Sequence, residues 1–366
     1  MIIRPVIKST LCVITTASIL SSCGPSQEDA ELREVAEVAS CSDPTPPEYL
    51  FDATGELKAA AASGDISSQQ KSWPWPFQLR SLGQTNGNLQ QFSRDPYFHH
   101  GLDIRGDAGQ EVRMPFDGTG LEVVNYRFGQ PLYWRVAVTD PDGFIWQFHH
   151  IDPNSIPDEV RVAAQNKSPI KKGTLLGQIA TWSNAWFDET YHHIHLNVIA
   201  SGGRYVSPLM FLERLPDTSK PVISEIRLVK DGQPFAGNNA SGDFSIVADI
   251  SDLTMHDKFI NPPHDLKIRL NDGPPSTVWN FATIPGGSNI NSKLWELYLQ
   301  GSACGNYTCR RHTMNLGFTQ EGPDPFDTLG DGQHKIEIIA SDYNGNSTTT
   351  SWTFNVTGRG SPNAPL

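Results

Sequence analysis

Histidine carries most of the chemistry legible in this chain. Six of its eleven histidines stand as adjacent pairs, His99-His100, His149-His150 and His192-His193, and His195 follows two residues after the last pair. A neutral imidazole is both a ligand for first-row metals and a proton acceptor near neutral pH. Along an extended strand side chains alternate between faces, so His193 and His195 share one side while His192 and Ile194 face the other. One of two such imidazoles can bind an ion while its neighbour addresses the bound water. Asp103, four residues beyond His99 with Gly101 between them, can bend back toward the same point. Two imidazole nitrogens and one carboxylate oxygen leave a fourth tetrahedral position for water, which is the composition of a catalytic zinc site rather than a closed structural one. Spacing alone admits His100 nearly as well as His99, and parity alone does not choose between His149 and His150.

Side chains so placed need a β scaffold, and the surrounding sequence reads as one. Short apolar or alternating runs at 121–126, 134–139, 144–149, 175–179 and 193–199 are separated by turn signals such as Asp117-Gly118 and Asp142-Gly143, the punctuation of strands and hairpins. A second block carries strand patterns at 223–229, 244–250, 266–270, 335–340 and 351–356, the last two joined by Asn344-Gly345. Its regular short strands predict an immunoglobulin-like β-sandwich with an irregular insertion near 271–325. A chain of 366 residues exceeds what one core usually organises. The expectation is a mostly β protein with a compact β-sheet domain over 73–215, the sandwich over 216–357 and a tail over 358–366.

At its histidines the chain resembles the lysostaphin-like, or LytM-type, peptidoglycan zinc endopeptidases. Their His-x-Gly-hydrophobic-Asp pattern stands here as His99-His100-Gly101-Leu102-Asp103, their His-x-His strand as His193-Ile194-His195, and their aromatic-x-His-Leu element as Phe148-His149-His150-Ile151. The segments at 112–118, 172–177 and 207–212 echo the family more weakly. The resemblance spans about 75–213 and implies a compact β-sheet metallopeptidase domain that cleaves peptide bonds in peptidoglycan stems or cross-bridges. It implies Zn2+ on His99, Asp103 and His195, with His150 and His193 as the catalytic histidines. Zinc acidifies bound water and polarises the scissile carbonyl; one of the two histidines then takes a proton while the other steadies the oxyanion or protonates the leaving amine. Two departures stand out. Members commonly place an aromatic residue and a glutamate after His-x-His, where this chain has Leu196 and Asn197, implying an altered or missing hydrogen bond behind the metal. The stretch 92–96 also lacks the glycine often found before its arginine, Arg94. The alternative function is a noncatalytic wall-binding or hydrolase-activating protein of the same fold, but such relatives typically lose metal ligands that are kept here.

The remaining features set the compartment. Arg4 and Lys8 precede a short apolar stretch that ends in Leu20-Ser21-Ser22-Cys23, which reads as a signal peptide over 1–22 with a lipobox, so that Cys23 is lipidated and anchors the chain to a bacterial envelope membrane. Residues 23–72 then read as a flexible tether facing the periplasm or cell exterior. Cys304 and Cys309 close a short loop that suits a disulfide in an oxidising compartment; Cys41 is left over. A formal net charge of -12 excludes electrostatic binding to nucleic acid. The run Trp73-Pro74-Trp75-Pro76-Phe77 suits sugar stacking or, more simply, core packing. The acidic stretches at 249–257 and 342–346 hold calcium-type oxygen ligands but match no twelve-residue calcium loop, and read as turns. Nothing assigns the second block a partner; an unidentified protein partner is an open alternative.

Overall fold

The expected strands form, and the side chains that alternate along them divide the molecule into a polar site and two apolar clusters. The computed structural model describes residues 71–79, 81–87, 98–127, 130–182, 191–200, 203–253, 260–284, 294–299, 312–320 and 322–359. Cys23, Cys304, Cys309 and the stretch around Arg94 lie outside these residues. Strands make up 48% and helices 10%, so the chain is mostly β.

The first block holds β1 (Thr85–Gly87), β2 (Leu102–Arg105), β3 (Glu111–Arg113), β4 (Gly118–Asn125), β5 (Trp134–Thr139), β6 (Ile145–His149), α1 (Asp158–Asn166), β7 (Pro169–Ile170), β8 (Leu175–Gln178), β9 (His193–Ala200) and β10 (Arg204–Val206). Its main sheet runs β1-β2-β9-β6-β5-β4-β7, and β3 pairs separately with β8. On β9 the alternation works as read: Ile194, Leu196 and Val198 are fully buried in an apolar cluster with Phe148, Trp146, Val136 and Ile104. His193, His195 and Asn197 therefore project from the opposite face. The aromatic run packs. Trp73 lies 4.4 Å from the Phe116 ring and 5.4 Å from that of Trp146, and backbone bonds Trp73 N–H to Phe211 O and Glu213 N–H to Trp73 O tie the start of the block to its end.

The second block adds β11 (Val222–Lys230), β12 (Gln233–Pro234), β13 (Asn239–Ser241), β14 (Ser245–Leu253), β15 (Ile260–Asn261), β16 (Asp265–Leu270), β17 (Ser276–Asn280), β18 (Thr283–Ile284), β19 (Thr313–Asn315), β20 (Gly332–Ser341) and β21 (Ser347–Thr357). One sheet runs β12-β11-β14-β15 with β19 also on β14; the other runs β13-β21-β20-β16-β17. Ile246 and Ala248 of the first share a single apolar cluster with Leu266, Ile338 and Phe354 of the second. Two layers around one core are what an immunoglobulin-like sandwich requires; that class, like the boundary at 215, remains a proposal.

The blocks are not independent. β18 pairs with β10 through Tyr205↔Ile284 and Val206↔Thr283, and the second cluster takes in Phe98, Ile145, Ile199 and Tyr205 of the first block. Ile199 has the parity of His195 and Asn197, so the second block covers the far end of the sheet face that carries the histidines. Phe98, fully buried, stacks on Trp279 at 5.8 Å. Phe98→Ala is expected to cost about 3–5 kcal/mol and to lower a single thermal transition in calorimetry. A loss below about 1 kcal/mol, or two separate transitions in the parent protein, would contradict a shared core.

Candidate metal centre

Three registers assemble the site. β2 and β9 pair antiparallel with Asp103 opposite His195 and Arg105 opposite His193; β6 and β9 pair with Gln147 opposite Asn197; β5 and β6 pair with Arg135 opposite His149. Directly opposed residues project from the same face. Asp103, His195, Asn197, Gln147, His149 and Arg135 thus form one polar patch spanning four strands. His99 reaches it from the segment just before β2, and Gly101 makes that approach possible. A Cβ at position 101 would come within 2.4 Å of Asn197 Oδ1 and 2.5 Å of the Leu196 carbonyl, so no other side chain fits without displacing β9.

His99, Asp103 and His195 converge, with ligand-capable atoms all within 4.8 Å of one another. Asp103 Oδ1 lies 3.2 Å from His99 Nε2 and 2.8 Å from His195 Nδ1. Its Oδ2 accepts a hydrogen bond from the Tyr191 hydroxyl at 2.9 Å, which fixes the carboxylate with one oxygen turned to the imidazoles. His195 Nε2 lies 2.7 Å from Asn197 Oδ1, an acceptor, so that nitrogen carries the proton and Nδ1 presents a lone pair. In the neutral ring that lone pair faces a carboxylate oxygen. Two electron-rich atoms so close call for a cation between them, and the donor set of two imidazoles and a carboxylate suits zinc. The hydrogen bond behind His195 is altered relative to the family pattern, yet present. Asn197 Nδ2 in turn donates to Gln147 Oε1 at 3.1 Å and lies 3.2 Å from His149 Nε2.

His150 and His193 stand beside this group with their rings 4.7 Å apart. His150 Nδ1–H donates to the Leu132 carbonyl at 2.8 Å, and His193 Nδ1–H to the Tyr191 carbonyl at 2.9 Å. A carbonyl only accepts, so each ring is held in the tautomer that leaves Nε2 as a proton acceptor. His193 Nε2 is 3.9 Å from Asp103 Oδ1. Trp182 flanks His150 at 4.6 Å and His193 at 5.1 Å.

Burial decides the charge states. It lowers the pKa of His149 and His150 well below 6.5, with neighbouring histidines adding to the effect. It also lowers His193 and His195, against the pull of Asp103. Burial alone would push Asp103 up; the surrounding imidazoles of His99, His193 and His195 outweigh it and hold the carboxyl well below 3.8. Neutral imidazoles beside an ionised carboxylate are the states that metal ligation needs.

All five site residues expected from the sequence lie together. His149, which the resemblance leaves outside the catalytic pair, also sits within the patch, its ring 5.3 Å from His195. Alternation fails here because His150 has φ 63; the left-handed backbone turns it off the strand, and both rings of the pair reach the site. His192 accepts a hydrogen bond from Trp182 N–H at 3.0 Å, and His100 stacks on Tyr205 at 4.6 Å. Tyr191, Gln147 and Trp182 were missed. Tyr191 was findable, since it shares the parity of His193 and His195.

No family model matches the sequence, and no curated protein matches it. Among solved structures, the chain is similar to a Pseudomonas aeruginosa protein assigned as peptidase M23, with 21% identity, a TM-score of 0.27, and coverage of 48% of this chain and 65% of that one. The catalytic domain of the antimicrobial peptidase lysostaphin from Staphylococcus simulans shows 16% identity and a TM-score of 0.22, covering 39% of this chain and 88% of that one. The catalytic domain of the M23 protein EnpA from Enterococcus faecalis shows 20% identity and a TM-score of 0.23, with 30% and 76% covered. Several of the structures it resembles are M23, LytM or lysostaphin peptidases. All are distant and partial likenesses, the first being spanned over 65% of its length; the chemistry must follow from the side chains themselves.

The depressed histidines give stability a pH dependence. Unfolded, His149 and His150 take up protons near pH 6.5; folded, they do so only well below it. Stability is therefore full above about pH 6.5 and is lost as the pH falls from there toward the folded values. Tm of the metal-free protein is expected to drop from pH 8 to pH 5, less steeply in His149→Gln; a Tm that rises on acidification would contradict the buried neutral state. Gly101→Ala is expected to lower metal affinity at least about 10-fold by pushing Asn197 off His195, read by zinc titration.

Proposed function

We propose that the chain is a zinc-dependent endopeptidase that hydrolyses peptide bonds in peptidoglycan stems or cross-bridges, held at a bacterial envelope membrane by a lipid on Cys23. The observation that carries this reading is the convergence of His99, Asp103 and His195 within 4.8 Å beside two further imidazoles, each with Nδ1–H given to a backbone carbonyl. The peptidoglycan substrate rests on the motifs shared with the lysostaphin-like enzymes, and the anchor on Leu20-Ser21-Ser22-Cys23.

His99 Nε2, Asp103 Oδ1 and His195 Nδ1 would hold the ion. Zinc bound there supplies Lewis acidity, polarising a carbonyl and acidifying water. Asp103 keeps one oxygen for that task because Tyr191 occupies the other. Of His150 and His193, one receives the water's proton at Nε2 while the other, once protonated, donates from the same atom to the oxyanion or the departing amine. Their fixed tautomers remove the cost of reorienting each ring. Trp182 and Tyr133, 4.6 and 5.8 Å from His150, shield the pair from bulk water and favour its neutral form. The retained ligand set favours catalysis over a purely wall-binding or activating role.

His195→Ala and Asp103→Ala are expected to lose most bound zinc, because three protein ligands leave no redundancy. His150→Ala and His193→Ala should keep it while hydrolysis of cross-linked muropeptides falls about 10²–10⁴-fold. Elemental analysis beside mass spectrometry of digested peptidoglycan reads both. A wild-type protein that binds zinc but cuts no wall peptide would turn the reading to the noncatalytic alternative. Cys23→Ser is expected to abolish incorporation of labelled fatty acid; unchanged acylation would refute the anchor.

A further inference from the structure

Away from the histidines, a cavity of about 280 Å³ lies between Thr85 and Ser207 of the first block and Asn261, Phe281 and Tyr343 of the second. Asp217, on the connection between the blocks, Asp252, on β14, and Asp342, just after β20, all line it. Their carboxylate oxygens lie within 4.8 Å of one another. Ser219 N–H donates to Asp217 Oδ1 at 2.9 Å, and Asn346 donates to both oxygens of Asp342 at 2.8 and 2.7 Å. These bonds shape turns at Asp217 and Asp342 and leave three carboxylates gathered around one space.

Asn261 supplies an independent sign of a ligand. It is only 4% exposed, and its Oδ1 has no hydrogen-bond donor. It stands directly opposite Asp252 across the β14–β15 pair, so both side chains project from the same face into the cavity they line. A buried carbonyl oxygen without a donor is costly, and a cation removes that cost as well as the repulsion among the carboxylates. Three carboxylates and an amide oxygen form an all-oxygen set for a hard divalent ion. Mg2+ usually keeps several waters and takes one or two carboxylates, whereas Ca2+ accepts six to eight oxygens in flexible geometry.

We propose that Asp217, Asp252, Asn261 and Asp342 bind Ca2+. The ion ties the connection that leaves the histidine-bearing block to one sheet of the second block through β14 and β15, and to the other through the β20–β21 turn. It thereby fixes how the second block is carried. Asp252 and Asp342, each from an acidic stretch readable as a turn on its own, meet here in one site.

The test uses the full zinc-loaded chain dialysed free of calcium, with Tb3+ as a luminescent probe excited through Tyr343. One saturable Tb3+ site displaced by Ca2+ and not by equal Mg2+, together with a Tm rise of about 5 °C in millimolar Ca2+, is the expected result. Asp252→Asn, nearly isosteric, and Asn261→Ala should each weaken Ca2+ at least about 10-fold, while His195→Ala leaves it unchanged. The proposal is overturned if Ca2+ gives neither displacement nor a Tm shift, if both cavity variants bind as the parent does, or if only His195→Ala abolishes Tb3+ binding. Should Asp252→Asn fail to fold, Asn261→Ala decides.

Discussion

Asp103 and His195 face one another across β2 and β9, and most of the histidine site is ordered by that register. A slip of one residue would present Ile104 or Leu102 to His195 and drive the carboxylate into the apolar layer behind the sheet. Two features hold the register. Gly101 lets the segment bearing His99 pass against β9 where any Cβ would strike Asn197 and the Leu196 carbonyl, and Ile104 and Ile194, also opposed, are both fully buried on the far face. Apolar burial thus pins the strands from one side, and the polar groups inherit their alignment on the other.

That polar face is costly to build, because buried donors and acceptors that miss their partners lose about 1–3 kcal/mol each. The chain meets part of the cost with a hydrogen-bonded network, while Arg135 Nη1 and Gln147 Nε2 stay buried with no hydrogen-bond partner among the described residues. His195 leads to Asn197, Asn197 to Gln147 and His149, and Arg135, opposite His149, meets Glu122 with Nε 2.7 Å from its carboxylate. Further along the same face the second block takes over, closing on Ile199 with its own core. The second block is therefore part of the sheet's support as well as an appended layer. A truncation near residue 215 would expose Phe98, Ile145, Ile199 and Tyr205.

Much of the site could be read from the sequence because it rests on short-range rules. Parity brings His193 and His195 to one side, and the spacing of His99 and Asp103 lets a short segment fold back. The His149-His150 pair resisted the same rule because alternation applies only while the chain remains extended, and His150 leaves the strand with positive φ. Tyr191 obeyed parity and was still overlooked, since a tyrosine offers no metal-ligating signal; its role lies in the Asp103 oxygen that it occupies. Contacts fixed by the tertiary fold were out of reach. Nothing local to Asp217, Asp252 or Asp342 says that they meet, nor that Ile199, in a regular strand of the first block, is completed by the core of the second.

Asn197 is where this chain departs most from the pattern it resembles, and the geometry shows what the departure changes. An amide oxygen accepts from His195 Nε2 as a carboxylate would, so ring orientation and tautomer are kept. The charge is not. A carboxylate at this position would place a second negative group one imidazole away from the ion, making His195 a stronger donor and lowering the net charge of the centre. It would also lie on the same sheet face as the buried Arg135, whose charge is met here by Glu122 on β4. With the neutral amide, the only carboxylate within the ligand group is Asp103, and a divalent ion held there retains a net positive charge. Such a centre would polarise a carbonyl more strongly and hold its metal less tightly, so an amide in place of a carboxylate would exchange metal affinity for Lewis acidity while the surrounding hydrogen bonds preserve the shape of the site.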